Sequence, residues 1–221
     1  MSNSLIPILY SFRRCPYAMR TRFVLRSVSQ SVEIREIKLQ KKPKEFLKVT
    51  NLGTVPVMIL SKRKVLLESL DIINWCLKNS KNIEERKIVH NQNDITWEYI
   101  KIVDNEFKYN LDRYKYPTRY SNKDPNLYRK NNLSFLEDLN NRLKNSKFLF
   151  SDEICFSDYC IFPFIRQFRN VDIDWFEKLN FKFLNNWFSI IVNGVAFENI
   201  MRKYKLWEPN DKPVITNFKY N

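Results

Sequence analysis

Apolar and polar positions follow two different rhythms along this chain, and the change of rhythm divides it. From Leu5 to Phe12 the residues are mostly apolar and rich in β-formers. Ala18, Thr21, Leu25 and Val28 then fall at spacings of three, four and three, which marks one face of a helix. Residues 32–39 alternate apolar and polar as a half-buried strand does. Lys41-Lys42-Pro43-Lys44-Glu45 opens a short helix carrying Phe46, Leu47 and Val49, and residues 51–54 make a turn. Residues 55–60 read as a strand with Pro56 near its start, and residues 65–67 as a second strand after a basic turn. A helix begins at Glu68-Ser69, with Ser69 as a candidate N-cap. The order β-α-β-α-β-β-α within 80 residues predicts a small α/β sheet domain.

Beyond residue 90 no strand alternation is evident, and helical spacing takes over. Helical patterns cover 94–114, 126–145, 158–169, 176–193 and 195–204, broken at Tyr116-Pro117, Asp124-Pro125, Asn145-Ser146-Lys147 and Asn193-Gly194. The pattern therefore predicts an α/β domain over 1–80, a polar linker over 81–90 and an all-α domain over 91–221.

Composition narrows the chemistry. The chain has 221 residues, 44% of them apolar, enough for real cores in both domains. No apolar run approaches the ~20 residues that span a bilayer. The first ten residues lack the basic and apolar regions of a secretory signal. A cytoplasmic protein with no membrane association follows as the expectation, with Cys15, Cys76, Cys155 and Cys160 reduced. Their spacing fits no zinc motif, and the single histidine, His90, is a poor basis for a metal site, so no metal is expected. The net charge of +14 would suit an anionic partner. Its lysines and arginines are scattered and mixed with acids, however, and no nucleic-acid motif accompanies them. A diffuse basic surface is expected, with no nucleic-acid partner.

The chemistry concentrates at Ser11–Arg20. Cys15 lies at the junction of strand and helix, and Pro16 suits a first helical position because its missing N–H would have had no partner there. Cys15 is thus the expected N-cap, near unpaired N–H groups and the positive end of the helix dipole. Arg13, Arg14, Arg20 and Arg22 add charge that favours thiolate over thiol. A lone buried cysteine is usually inert. The strand–turn–helix setting, the proline and the arginines point instead to a reactive thiol.

Four motifs stand in order: Cys15-Pro16-Tyr17 at the first turn, Thr54-Val55-Pro56 at a strand start, Glu68-Ser69 at a helix start, and Phe156-Ser157-Asp158 in the helical half. In that order they resemble the cytosolic glutathione S-transferase family, and within it the cysteine-type, omega-like and glutaredoxin-2-like bacterial branch. The resemblance implies a thioredoxin-like N-terminal domain followed by an all-α domain, and a homodimer. It implies glutathione as cosubstrate, with Cys15 forming a mixed disulfide with it. Tyr17 would lie against the tripeptide, and Lys42 would pair with the glycine carboxylate. Val55, ahead of a cis Pro56, would offer backbone to the cysteinyl part. Glu68 and Ser69 would hold the γ-glutamyl group. These assignments suit the ligand, whose two carboxylates need cations or helix N-termini and whose extended backbone pairs well with exposed strand.

Two departures from the family qualify that. Ala18 stands where a glutaredoxin has its second cysteine, so the chemistry expected is monothiol, with glutathione resolving the disulfide. Cys155 stands where the helical domain usually has Ser or Thr, which predicts an incomplete capping box with Asp158. Thiol transfer or reduction suits Cys15 better than conjugation of electrophiles, because the cysteine bonds covalently to the sulfur that other transferases only hydrogen-bond. The competing reading is a non-catalytic binding protein on the same fold, like the RNA polymerase-associated starvation proteins. A second substrate would meet Arg13, Arg14 and aromatic residues such as Trp97, Tyr109 and Tyr114.

Overall fold

A computed structural model describes residues 6–80, 94–120 and 124–219. The expected linker at 81–90, with His90, lies outside the described residues. Backbone contacts group the chain into two units, Met1–Arg86 with Gly194–Asn221, and Lys87–Asn193.

The first unit is a five-stranded sheet in the order β4-β3-β1-β2-β5. Its elements are β1 (Ile8–Ser11), α1 (Pro16–Ser27), β2 (Val32–Glu36), α2 (Lys44–Leu47), β3 (Val57–Ser61), β4 (Lys64–Leu66) and α3 (Ser69–Asn79). β1 runs parallel to β2, with Leu9 opposite Ile34, and antiparallel to β3, with Leu9 opposite Met58. A parallel pair needs a crossover, and α1 supplies it. The buried residues of α1 include Ala18, Met19, Phe23, Val24 and Leu25, and the helix packs against α3, which buries Ile72 and Ile73. At Gly53 the backbone takes a positive φ of 60°, which costs glycine little.

The C-terminal segment departs from the sequence expectation twice. It carries a short strand, β5 (Ile215–Thr216), that pairs antiparallel with β2 where helix alone is predicted. Two residues are too short to show alternation. Its contacts are also with the sheet: Trp207 N–H donates to Glu36 C=O at 2.8 Å, and the Trp207 ring meets Tyr10 edge-on at 5.7 Å. The 91–221 boundary therefore differs from the contact grouping, in which residues 194–221 belong with the sheet. The helix Val195–Ile200, which precedes β5, packs on α1, with Phe197 near Phe23.

The second unit is helical among its described residues. It contains α4 (Asp94–Ile102), a π-helical turn over Val103–Phe107, α5 (Lys108–Lys115), α6 (Pro125–Asn131), α7 (Leu133–Arg142), α8 (Phe156–Arg169), α9 (Ile173–Glu177) and α10 (Lys182–Val192). The closing helix of the first unit is α11 (Val195–Ile200). The expected helix 126–145 is two helices, broken at Asn132, whose buried side chain donates to Phe107 C=O at 3.1 Å. A short polar side chain that bonds elsewhere competes with helical continuity. The expected 176–193 helix also divides, at residues 178–181.

The capping box at the start of α8 is complete, which corrects the expectation from Cys155. Cys155 N–H donates to the Asp158 carboxylate at 2.9 Å, and the Cys155 thiol donates to the same oxygen at 3.0 Å. Asp158 is fully buried and also accepts from Leu149 N–H at 3.1 Å and Trp187 Nε1–H at 2.7 Å. The aspartate closes the box from its own side, so the poor capping power of a thiol matters little.

Candidate functional site

The site begins at a turn whose backbone closes on itself. Cys15 N–H donates to Phe12 C=O at 2.9 Å, and Cys15 C=O accepts from Met19 N–H at 2.9 Å. Cys15 is the N-cap of α1 in extended conformation, with Pro16 directly inside the helix. Its side chain is half-buried, and its thiol donates to Val55 C=O at 3.4 Å. The Val55–Pro56 bond is cis, as expected, and both residues are buried. The turn after β1 and the bend just before β3 therefore meet at the sulfur.

Beneath the turn lie two residues whose partners the sequence does not reveal. Arg22, fully buried, donates to Arg13 C=O at 2.5 Å and to Ser11 Oγ at 3.3 Å. Glu36, also buried, accepts from Arg13 N–H at 2.5 Å and faces the Arg22 guanidinium at 3.9 Å. Burial pushes the Glu36 carboxyl above its usual 4.5, against the opposing pull of Arg22 and Arg13. Burial also lowers Arg22, while Glu36 first and Cys15 next act to raise it. The sequence does contain a signal for Glu36. In residues 32–39 the polar pair Arg35-Glu36 breaks the alternation, and Glu36 shares the parity of Val32 and Ile34, which face inward.

Arg20 is likewise buried, at 2% exposure, not a surface charge. Its Nε and one terminal nitrogen donate to Ser69 Oγ at 3.0 and 2.7 Å, and its guanidinium lies 5.0 Å from the centre of the Tyr17 ring. Tyr17, Arg20 and Ser69 thus come together. Ser69 is the first helical residue of α3, and Glu68, exposed, takes the N-cap position expected for Ser69. The reason is visible in the hydroxyl, which accepts Arg20 instead of a backbone N–H. With its oxygen so occupied, the Ser69 O–H can only point elsewhere as a donor.

Lys42 is half-buried and folds over Gly53, its Nζ 3.0 Å from where a side-chain carbon at Gly53 would sit. The glycine thus leaves the ammonium room. Among the described residues, hydrogen bonds tie Cys15 to Val55 and Ser69 to Arg20, and none links Lys42 or Glu68 to those pairs. Among the described residues the other three cysteines are buried, and no cysteine forms a disulfide. Burial pushes the Cys76 thiol up to about 12, and burial with the Asp158 charge does the same to Cys155. Of the aromatic residues expected near a second substrate, Tyr114 is buried, Trp97 packs edge-on against Phe156 at 5.6 Å, and Tyr109 is half exposed. Among the described residues, no three His, Cys, Asp or Glu side chains gather to hold a metal ion, and no helix is long and apolar enough to cross a membrane.

Comparison with known proteins bears on the fold and on the N-terminal unit. Residues 9–85 match the family described as glutathione S-transferase, N-terminal domain. Over 62 residues the chain is 39% identical to glutathione S-transferase omega-1 of Mus musculus and 36% identical to omega-2 of Homo sapiens. Each alignment covers 28% of this chain and 26% of the relative, so the match spans about a quarter of those proteins. A solved glutathione transferase family member from Pseudomonas fluorescens, with two glutathione bound, superposes with TM-score 0.73 at 15% identity, over 91% of this chain and 94% of that one. A glutathione transferase from Pseudomonas putida, with glutathione disulfide bound, gives 0.71 at 15% identity, over 91% and 93%. The fold is therefore a thioredoxin-like domain with a helical domain, the architecture of glutathione transferases.

Proposed function

With a glutathione S-transferase N-terminal domain over residues 9–85 as the premise, we propose that this protein is a cysteine-type, omega-like glutathione transferase that carries out thiol transfer through Cys15. One observation carries the reading: a half-buried cysteine at a helix N-cap sits 3.4 Å from the Val55 carbonyl that precedes Pro56. The sulfur and the extended backbone leading into β3 lie side by side, which suits a cysteine-containing peptide as ligand.

In the proposed reaction the Cys15 thiolate attacks the glutathione sulfur of a glutathionylated substrate. The new bond joins Cys15 to glutathione, the old disulfide breaks, and the substrate leaves as a thiolate. A second glutathione thiolate then attacks the mixed disulfide, which releases glutathione disulfide and restores the Cys15 thiolate. The mixed disulfide between substrate and glutathione gains two electrons, and the two glutathiones released as disulfide lose one each. Ala18 offers no second sulfur, so the resolving thiol must come from solution.

Each part of the tripeptide has a proposed partner. Val55 backbone would pair with the cysteinyl unit, beside Pro56. Ser69, its oxygen held by Arg20, would donate its hydroxyl proton to the γ-glutamyl carboxylate at the start of α3. Glu68 would take the γ-glutamyl ammonium, Lys42 the glycine carboxylate, and Tyr17 one face of the peptide. A homodimer in the cytoplasm, with no nucleic-acid partner, completes the proposal; light scattering and a salt titration of nucleic-acid binding test the dimer and the partner.

The central test is incubation with glutathione disulfide, followed by peptide mass mapping and by retention on immobilised glutathione. One adduct on the Cys15 peptide, with elution by free glutathione, is the expected result. An adduct chiefly on Cys155, or no retention, would overturn the reading.

A further inference from the structure

The buried ion pair beneath the Cys15 turn is not used by that chemistry, yet it touches the turn from two sides. Arg22 reaches up to the Arg13 carbonyl and to Ser11 Oγ, while Glu36 takes the Arg13 N–H. Arg13 is two residues from Cys15, so one residue of the reactive turn is gripped at both its carbonyl and its amide. Neither charge has an alternative in solvent, since Arg22 is 0% and Glu36 7% exposed. Among the described residues, two polar atoms of the pair, Arg22 Nε and Glu36 Oε2, have no hydrogen-bond partner, an arrangement that costs stability.

We propose that Arg22 and Glu36 are positioning residues for Cys15: Arg22 holds the turn and favours the ionised sulfur, and Glu36 offsets part of that charge. The inference rests on the proposed reaction only in taking Cys15 as the working thiol. The groups that face Arg22 are Glu36 from β2, Cys15 and Arg13 from the turn, and Tyr204 from the C-terminal segment. Those that face Glu36 are Arg22 and Arg13. The charges that meet here are thus one cation in the helix, one anion in the sheet and a second cation on the turn.

The pair makes an unusual signature possible, because its two members should move the thiol in opposite directions. Iodoacetamide alkylation of Cys15, followed by peptide mapping from pH 5 to 9, reads the pH at which half the thiol is ionised, without glutathione. Arg22→Gln should raise that midpoint, and a rise of one pH unit slows alkylation below it about tenfold. Arg22→Lys, which keeps the charge but not the fork, should recover most of the rate. Glu36→Gln keeps an oxygen for the Arg13 N–H and removes the charge, and it should lower the midpoint and speed alkylation. A purely structural pair would slow the reaction, or leave it alone, in both neutral variants; that result overturns the proposal. Should Arg22→Gln fail to fold, Glu36→Gln carries the test, and an unchanged or raised midpoint in the folded variant overturns it. Opposite shifts without a glutathione adduct would leave this inference standing and remove the transfer reaction.

Discussion

Cys15 and Cys155 occupy the same local position, the N-cap of an amphipathic helix in extended conformation, yet their surroundings differ in burial and in the charge beside the sulfur. Cys15 is half-buried and donates to a neutral carbonyl, with the Arg22 guanidinium beneath its turn. Cys155 is 4% exposed and points its thiol at the Asp158 carboxylate, 3.0 Å away. A helix N-terminus favours an anion by a few tenths to about 1 kcal/mol. At Cys155 burial and a neighbouring negative charge outweigh that and push the thiol up to about 12. A helix dipole does not by itself make a cysteine reactive. On the proposed reading, the sign of the nearest full charge and access to water separate the two.

Removing each sulfur in turn puts the contrast between the two caps under the most severe test. Cys15→Ser should abolish thiol transfer, with a loss of at least about 10³-fold. Cys155→Ser should leave the rate within about twofold, because serine can replace the thiol in the box. Coupled assays of glutathione-dependent disulfide reduction check both, and equal losses would end the distinction.

The next effect is on stability. Asp158→Asn replaces a buried acceptor of four donors with a group that must itself donate. It should cost roughly 3 kcal/mol, read as a lower urea midpoint at unchanged slope. The same carboxylate that silences Cys155 is then shown to be a structural hub.

A smaller effect is expected at the proposed ligand end of the first unit. Ser69→Ala removes the hydroxyl that Arg20 holds and should weaken glutathione binding about three- to tenfold, measured by calorimetry. Unchanged affinity would detach Ser69 from the γ-glutamyl group.

The smallest effect concerns pH. Burial holds the Glu36 carboxyl above its usual 4.5, so the folded state binds its proton more tightly than the unfolded chain does. The associated stability is present below about 4.5 and is lost as pH rises through the folded value. Wild type should therefore lose stability relative to Glu36→Gln as pH rises from 4.5, in urea titrations at several pH values. A difference that grows in the other direction would show that Arg22 outweighs the burial.

Local pattern alone was enough to order the strands and helices of the first 80 residues, because period-two and period-3.6 repeats report which face is buried. It was also enough to place Cys15 as N-cap, since Pro16 and the adjacent apolar run are local signals. Elements without such signals were not legible. β5 is two residues long, and its place beside β2 depends on a chain segment about 180 residues away in sequence. The breaks at Asn132 and at residues 178–181 interrupt patterns that stay helical on either side. At the site, Arg20 and Arg22 read along the chain only as charges near Cys15, and it is the packing of α1 in the folded unit that buries them and sets their partners. Glu36 showed its inward parity, but not its partner. Which donor meets a buried acid depends on elements brought together from distant parts of the chain, and one-dimensional periodicity holds no record of that distance.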